Sequence, residues 1–253
     1  MKALILAGSQ EDSPLTKFSR NKALLKICGK EMIKYIIDAM RELDFIDTIA
    51  VVGPKDELVS LEGFADIIID SGSSMTENVL KGAEVFPDSE LILIATSDIP
   101  MITSEAIRDF VEKAQKVDAD FYYPIVRKEI NEKKYPGVKR TYVKIKDGTF
   151  TGGNIVLVKV DTVKRCIKQA EEFMIYRKKP LKLAQILGPV IIIKFLMGTI
   201  TISELEKRVG KLFGIKAKGI ISDYPEIGTD VDKESDVEIA EKVLCGGIAN
   251  EAQ

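Results

Sequence analysis

The 253-residue chain contains no histidine. This absence excludes Ser-His-Asp and Cys-His catalysis, phosphohistidine chemistry and histidine ligation of metals. Any acid–base or metal chemistry must therefore use aspartate, glutamate, lysine, tyrosine or cysteine side chains. An excess of charge of one sign is also missing, because 37 basic residues face 39 acidic ones. The charge balance therefore does not favour a nucleic acid as the partner.

Cysteine is scarce: Cys28, Cys166 and Cys245 lie far apart in sequence. Because they form no Cys-x-x-Cys pair, the spacing predicts neither a zinc site nor a disulfide framework. The first strand-like run begins directly after Met1-Lys2, which leaves no room for a targeting segment. We therefore expect a reducing, cytoplasmic location.

A long uninterrupted apolar segment is missing as well. Residues 181–200 are the most apolar stretch, but Gly188-Pro189 interrupts it and two lysines charge it. It is a poor membrane-spanning helix, and a buried helical pair, a dimer face or an interfacial element fits better.

Eight basic residues and only three acidic ones lie between Lys159 and Lys182. A solvated helix face is the ordinary interpretation of such a run. Because Arg177-Lys178-Lys179 adjoins the apolar stretch, contact with an anionic or lipid-like acceptor, or with a membrane surface, remains a second interpretation.

Two common phosphate-binding motifs are absent. The dinucleotide fingerprint needs three glycines after the first strand, but only Gly8 precedes Gly29. The Gly29-Lys30 pair lacks the following Ser or Thr of a P-loop and has Leu24 where the first glycine should be.

What is present is an apolar strand at 3–7 that ends at Gly8-Ser9 and opens into a loop with Lys17, Arg20 and Lys22. Glycine lets a backbone approach an anion, and cationic side chains neutralise it, so the segment predicts a phosphate site. An ordinary surface loop with lysines is the alternative.

Strands and helices alternate along the chain, which predicts a single α/β domain with a mainly parallel sheet covered on both faces. We predict an insertion of helices at 161–216. We predict strands at 48–52, 66–70, 91–95, 120–126, 140–146, 155–158 and 219–221, and helices at 31–43, 75–85, 103–117 and 234–244.

Two aspartates follow predicted strands. Asp98 comes just after the buried strand 91–95, where a carboxylate is costly without a cation or hydrogen-bond donors. It could instead cap the next helix, although Thr103 or Ser104 is better placed for that. Asp232 precedes the last predicted helix and could simply cap it.

Together these segments resemble the molybdenum-cofactor guanylyltransferase-like (MobA-like) nucleotidyltransferases. The similar segments are Leu6-Ala7-Gly8-Ser9, Arg20-Asn21-Lys22-Ala23-Leu24, Ser97-Asp98-Ile99-Pro100, Thr151-Gly152-Gly153-Asn154 and Asp232-Lys233-Glu234-Ser235-Asp236-Val237. Ser9 replaces a glycine, Asn21 a proline and Lys233 a threonine of the family pattern. A glycine-rich hairpin turn is the alternative for 151–154.

The resemblance implies a GT-A-type fold, a mainly parallel mixed sheet with helices on both faces. It implies Mg²⁺ (or Mn²⁺) held by Asp98 and Asp232, with Asp230 as the alternative to Asp232, and a catalytic group of Lys22, Arg20 and Asp98. The implied nucleotide-binding residues are Leu6, Ala7, Gly8, Ser9, Lys17, Lys22, Gly72, Ser73, Asn78, Ser97 and Asp98. The expected acceptor-binding residues are Gly152, Gly153, Asn154, Arg177 and Lys178.

The implied activity is transfer of a nucleotide from an NTP to a phosphorylated or otherwise anionic small-molecule acceptor, with release of pyrophosphate. Such chemistry depends on positioning and electrostatics, which fits a chain without histidine. A GT-A glycosyltransferase using an NDP-sugar would normally show Asp-x-Asp after the central strand, which Asp98-Ile99-Pro100 does not. A catalytically silent nucleotide-binding module is the third possibility.

Overall fold

A computed structural model describes residues 1–8, 14–15, 17–176 and 186–250, and leaves aside the side chains at 174, 176 and 247–250. In these ranges nine strands form one sheet in the order β5-β4-β1-β6-β10-β7-β9-β8, with β11 paired to β7. The strands are β1 (Lys2–Leu6), β4 (Thr48–Gly53), β5 (Ile67–Asp70), β6 (Leu91–Thr96), β7 (Phe121–Arg127), β8 (Val143–Ile145), β9 (Gly148–Gly152), β10 (Ile155–Lys159) and β11 (Ala217–Ser222); β2 (Lys26–Ile27) and β3 (Lys30–Glu31) form a separate ribbon.

The sheet is mixed and mainly parallel, as predicted. β1 pairs in parallel with β4 and β6, β4 with β5, and β11 with β7. β10 runs antiparallel between β6 and β7. Strands β1, β4, β6 and β7 therefore have their carboxyl ends at one edge of the sheet, the place where open α/β sheets bind ligands.

Helices cover both faces. They are α1 (Met32–Arg41), α2 (Met75–Val85), α3 (Ser104–Gln115), α4 (Lys128–Lys134), α5 (Val160–Tyr176), α6 (Pro189–Leu196), α7 (Ile202–Phe213) and α8 (Glu234–Asn250). On one face Ile33, Ile37 and Phe110 from α1 and α3 pack against the sheet. On the other, Ala83 of α2 and Val163 of α5 do so. Each apolar stripe recurs at helical spacing, which is why these segments fold as helices on the sheet.

The segment between β10 and β11, where an insertion of helices is predicted at 161–216, contains α5, α6 and α7 among its described residues. None of the described helices combines the length and the apolar character needed to cross a membrane. Helix α6 nevertheless exposes Val190, Ile193 and Leu196, which lie at helical spacing on one side.

The cysteine prediction was wrong: Cys28 and Cys245 form a disulfide with their Cα atoms 5.8 Å apart. Cys28 lies in the turn between β2 and β3, and Cys245 lies on α8, which packs on β2. The sequence separation of 217 concealed the pairing, because separation along the chain carries no information about distance in the fold. Cys166 is free and buried.

Two further predictions differ from the structure. The strand predicted at 140–146 is shorter, at Val143–Ile145, and the charged segment before it forms α4. The glycine-rich segment at 148–152 is a strand, β9, paired with β7 and β8. Gly152 is required in this strand, because a Cβ at its position would collide with the Tyr123 side chain.

Candidate active site

Three carboxylates meet at the carboxyl edge of the sheet. Asp98 follows β6, while Asp230 and Asp232 follow the turn after β11, and each offers an oxygen within 4.8 Å of the others. The backbone carbonyl of Asp98 accepts a hydrogen bond from the Val231 N–H at 2.9 Å, which ties the two segments together. Asp98 and Asp232 do not cap the helices that follow them. Thr103 caps α3 instead, and at the start of α8 the Asp236 carboxylate accepts the N–H groups of residues 232 and 233.

Lys22 places a cation among these carboxylates. Its Nζ lies 2.9 Å from Asp98 Oδ2 and also forms an ion pair with Asp232. Burial disfavours the charged amine, but the two carboxylates outweigh it, so the pKa of Lys22 is raised above its usual value. The repulsion that converging carboxylates would suffer is thus relieved by a side chain of the protein itself.

Arg140 is a second cation of the site, and no motif in the sequence pointed to it. Its guanidinium forms an ion pair with Asp230, and only 12% of the side chain is exposed. Burial lowers the pKa of Arg140, while Asp232 and Asp98 oppose that shift. Its Nε is buried without a hydrogen-bond partner among the described residues, so the side chain retains a donor. The only signal in the sequence was a basic residue at the start of a predicted strand.

Polar residues behind Asp98 fix its carboxylate. The Thr96 hydroxyl donates to Asp98 Oδ1 at 2.5 Å, and Asn154 Nδ2 donates to the same hydroxyl oxygen at 3.3 Å. Asn154 therefore lies at the site and acts on Asp98 through the Thr96 hydroxyl. The N–H groups of Gly153 and Asn154 donate to the carbonyls of Pro124 and Ile227, so these backbone donors are used within the protein.

The segment with the predicted nucleotide-binding residues Gly72, Ser73 and Asn78 lies beside Gly8. A Cβ on Gly8 would come within 3.5 Å of Asn78 Nδ2 at the start of α2. Asn78 Oδ1 accepts the Gly72 N–H at 2.6 Å, and Glu77 Oε2 accepts from the Ser73 N–H and hydroxyl. Glu77 and the Asn78 oxygen thus shape the loop, whereas the Asn78 amide nitrogen faces the Gly8 turn.

Asn21, the residue in place of the family proline, has a structural role. It is 1% exposed, its Nδ2 donates to the Ala7 carbonyl at 3.2 Å, and its Oδ1 accepts the Ala23 N–H at 3.0 Å. The Ser97 N–H donates to the Leu6 carbonyl at 3.1 Å on the other side of β1. These bonds fix the Lys22 turn against the end of the first strand, as a rigid proline would by other means.

Two predicted residues lie elsewhere. Lys17 forms an ion pair with Glu234 at the start of α8, and Arg20 extends into solvent and contacts Glu57 at 2.9 Å. The structure therefore does not bring Lys17 or Arg20 to the carboxylates. Ser9, Arg177 and Lys178 lie outside the described residues.

The carboxylate cluster fits a hard divalent cation. Mg²⁺ prefers oxygen ligands and is usually bound through one or two carboxylates together with substrate phosphates. Asp98, Asp230 and Asp232 supply such oxygens. The ammonium of Lys22 and the guanidinium of Arg140 already neutralise part of their charge, so the residues suit a cation that arrives together with a polyphosphate.

Comparison with solved structures agrees with this architecture. A hypothetical transferase from Thermus thermophilus is 32% identical, with a TM-score of 0.84 over 93% of this chain and 98% of that one. A 4-diphosphocytidyl-2C-methyl-D-erythritol synthase from Anaerococcus prevotii has a TM-score of 0.61 at 12% identity, covering 96% of this chain and 95% of the other. A synthetase for CMP-2-keto-3-deoxy-manno-octonic acid, solved with CTP, has a TM-score of 0.61 at 13% identity, covering 98% and 100%. The last two likenesses show the fold.

Curated relatives match less than half of the chain. The bifunctional protein GlmU of Clostridium tetani is 32% identical over 117 residues, which is 44% of this chain and 25% of that protein. The GlmU of Clostridioides difficile is 30% identical over 114 residues, which is 44% and 24%. The chain thus spans about a quarter of these relatives' length. A family model, the MobA-like NTP transferase domain, matches residues 3–185. The chain belongs to the MobA-like NTP transferase family.

Proposed function

We propose that the protein is a nucleotidyltransferase that moves a nucleoside monophosphate from an NTP to a phosphorylated or otherwise anionic acceptor. The observation that carries this proposal is the meeting of Lys22 with Asp98 and Asp232 at the carboxyl edge of the sheet. This group lies next to the Gly8 turn, where a backbone can approach a phosphate. Family membership supports the use of an NTP.

In the proposed reaction an acceptor oxygen attacks the α-phosphorus of the NTP. The bond from that phosphorus to the bridging oxygen of the β-phosphate breaks, and pyrophosphate leaves with the electron pair. Lys22 stabilises the negative charge on the phosphate oxygens, and the Asn21 bonds hold its turn in place. An ionised phosphate acceptor needs no general base, which suits a site without histidine.

Asp98, Asp230 and Asp232 would hold Mg²⁺ or Mn²⁺ in this proposal. A bound divalent cation supplies charge neutralisation and orientation for the triphosphate. Thr96 and Asn154 keep the Asp98 carboxylate in a fixed direction. When a triphosphate enters, Lys22 and Arg140 can exchange carboxylate oxygens for phosphate oxygens without leaving the site.

The Asn78 amide is proposed to contact the base, because its nitrogen faces the Gly8 turn.

A cytoplasmic location remains a proposal too. The Cys28–Cys245 disulfide argues against a strongly reducing compartment.

The proposal is tested by measuring pyrophosphate release from each of the four NTPs in the presence of Mg²⁺ and a candidate acceptor. The candidate acceptors are sugar phosphates, alcohol phosphates and other phosphates that carry no nucleoside. Asp98→Asn should reduce turnover by at least about 100-fold, because a carboxylate that pairs with Lys22 and is proposed to hold the metal loses its charge. Asp88→Asn, an exposed aspartate before β6, is the matched control and should retain full activity. NTP binding without pyrophosphate release from any acceptor would indicate a silent binding module, and NDP-sugar turnover would indicate a glycosyltransferase.

A further inference from the structure

A cavity of about 360 Å³ lies between helix α7 and the sheet, and the proposed reaction does not use it. Phe121, Tyr123 and Ile125 of β7 form its floor, and Ile202 and Leu205 of α7 form its roof. Val143, Ile145 and Phe150 close one side. Its volume falls in the range of small-molecule sites, and its lining is mostly apolar.

The cavity results from small residues in β11. Ala217 and Gly219 lie opposite Phe121 and Tyr123 in the β11–β7 register, and both line the space below α7. A Cβ on Gly219 would lie 3.4 Å from Ile202 and 3.7 Å from Ile125, an ordinary packing distance. A larger side chain therefore fits at this position, and the glycine keeps the cavity open.

The cavity begins on the face of the sheet that carries Thr96 and Asn154. Val156 pairs with Ile94, and by the same register it lies opposite Tyr123, so Tyr123 shares the face of Ile94 and Thr96. Thr96 and Tyr123 are two strands and two residues apart, which is about 12 Å at ordinary sheet spacings. A ligand bound at the carboxylates can therefore reach the cavity with a chain of modest length.

Tyr123 marks the boundary between the polar site and the apolar cavity. Its ring lines the cavity, and a Cβ on Gly152 would collide with its hydroxyl. Burial raises the pKa of that hydroxyl, and the positive charge of Arg140 opposes the shift. The guanidinium is thus close enough to act on the group at the mouth of the cavity.

The surroundings of the cavity are also apolar. Ile191 of α6 packs on the Ile145 and Phe150 side of the cavity, while Val190, Ile193 and Leu196 of the same helix are exposed. An anionic head joined to an apolar chain is the chemistry that matches the Arg140 guanidinium together with this apolar cavity.

We propose that the cavity binds the alkyl or prenyl chain of an amphiphilic phosphate, which is the acceptor of the nucleotide. The phosphate lies between Arg140 and the carboxylate cluster, and the chain passes Tyr123 into the space under α7. The role of this phosphate as an acceptor rests on the proposed nucleotidyl transfer. The binding of its apolar chain in the cavity does not depend on that reaction.

The test measures binding of ethyl phosphate and decyl phosphate by calorimetry, with decyl phosphate kept below its micelle concentration. Each buried methylene contributes about 0.8 kcal/mol, or roughly fourfold in affinity. Burial of four methylenes gives a factor of about 250, so we expect decyl phosphate to bind at least about 100-fold more tightly, with one site per chain. Equal affinities of the two phosphates would overturn the proposal.

Gly219→Leu fills the cavity and should remove the advantage of the decyl chain while leaving ethyl phosphate binding unchanged. Gly219→Ala should reduce it in part, which provides a reading if the leucine variant folds poorly. Lys144→Leu is the matched control, because Lys144 is exposed on β8 between two residues that line the cavity. A full decyl advantage in Gly219→Leu, with melting temperature retained, would refute the assignment.

Pyrophosphate release separates this inference from the proposed function. Chain-length-dependent binding without any turnover of NTP would leave the cavity assigned and refute nucleotidyl transfer. Turnover with short phosphates, without any effect of chain length on binding, would support nucleotidyl transfer and overturn the cavity.

Discussion

Lys22 lies between two carboxylates, and this position determines how the site responds to ligands. Its ammonium is held by Asp98 and Asp232, and its pKa is raised although burial opposes the charge. In the proposed reaction, a metal ion and Lys22 would compete for the same carboxylate oxygens in the absence of NTP. With a triphosphate present, the ammonium gains phosphate oxygens as new partners, and the competition ends.

Replacing Lys22 by Met should therefore have opposite effects on two ligands. NTP affinity should fall about 10- to 150-fold, since a hydrogen bond to a charged group contributes about 1.5–3 kcal/mol. Mg²⁺ alone should bind more tightly, because the competing ammonium is gone. Calorimetry with each ligand checks both, and Lys26→Met, an exposed lysine on β2, serves as the control. Unchanged NTP affinity in Lys22→Met would indicate that the loop carrying Lys22 is an ordinary surface loop that does not bind phosphate.

At this scale the sequence predicted the acidic residues better than the basic ones. Asp98 and Asp232 stood at strand ends in a recognisable order, and the structure brings them together with Asp230. Arg140 follows no motif and reaches the site through the path of the segment after α4. Arg20 is two residues from Lys22 in sequence, but its side chain extends away from the carboxylates and contacts Glu57. Side-chain direction in an irregular loop is set by tertiary contacts that a sequence does not reveal.

At the scale of elements, prediction succeeded where periodicity was strong. The helix predicted at 75–85 is Met75–Val85, and the strand predicted at 91–95 is Leu91–Thr96. It failed at 128–134, where a charged segment forms α4, and buried Asn131 of this helix donates a hydrogen bond to Thr229 at 3.5 Å. The expected membrane or dimer contact of the 181–200 stretch stays a prediction, and the exposed side of α6 is where it would occur.

The junction of α6 and α7 gives an element-scale prediction. Glu204 forms a capping box with Thr201 at the start of α7 and an ion pair with Lys194 of α6. The bond from Lys194 lowers the pKa of Glu204 to about 2. A lowered pKa means that the stabilisation is present above the ordinary value near 4.5 and is lost as the pH falls through about 2.

Glu204→Gln should therefore lower the melting temperature at pH 7, and the difference from the unmodified protein should narrow below pH 4.5. Thermal unfolding followed by circular dichroism between pH 7 and pH 2 measures it. Glu241→Gln, an exposed residue of α8, is the control and should change little at any pH. A pH-independent difference would mean that the ion pair and cap contribute nothing through the charge of Glu204.

At the scale of the whole molecule, the disulfide joins the beginning and the end of the chain. The sequence separation of Cys28 and Cys245 is 217, so the bond closes a long loop and strongly restricts the conformations of the unfolded chain. Reduction should lower the free energy of unfolding by about 3–5 kcal/mol. Guanidinium titrations with and without a phosphine reductant measure the difference. The variant with both Cys28→Ser and Cys245→Ser should resemble the reduced protein and should not respond to reductant.

The chain after the helical insert completes what the chain before it begins. β11 pairs with β7 along its length, and Asp230 and Asp232 join Asp98 and Lys22. We therefore expect one cooperative unfolding transition. The protein has no tryptophan and seven tyrosines, so tyrosine fluorescence and far-ultraviolet circular dichroism are suitable probes. Their melting curves should coincide.

Saturating Mg²⁺ and NTP should move both curves together. A ligand at 100 times its dissociation constant stabilises the folded state by about 2.7 kcal/mol, which is roughly 5–10 °C for a domain of this size. Asp98→Asn should abolish most of that shift, and Asp88→Asn should preserve it. A second transition whose melting temperature does not change with the ligand would indicate that a part of the chain, such as residues 161–216, unfolds separately. The prediction of a single domain would then be wrong.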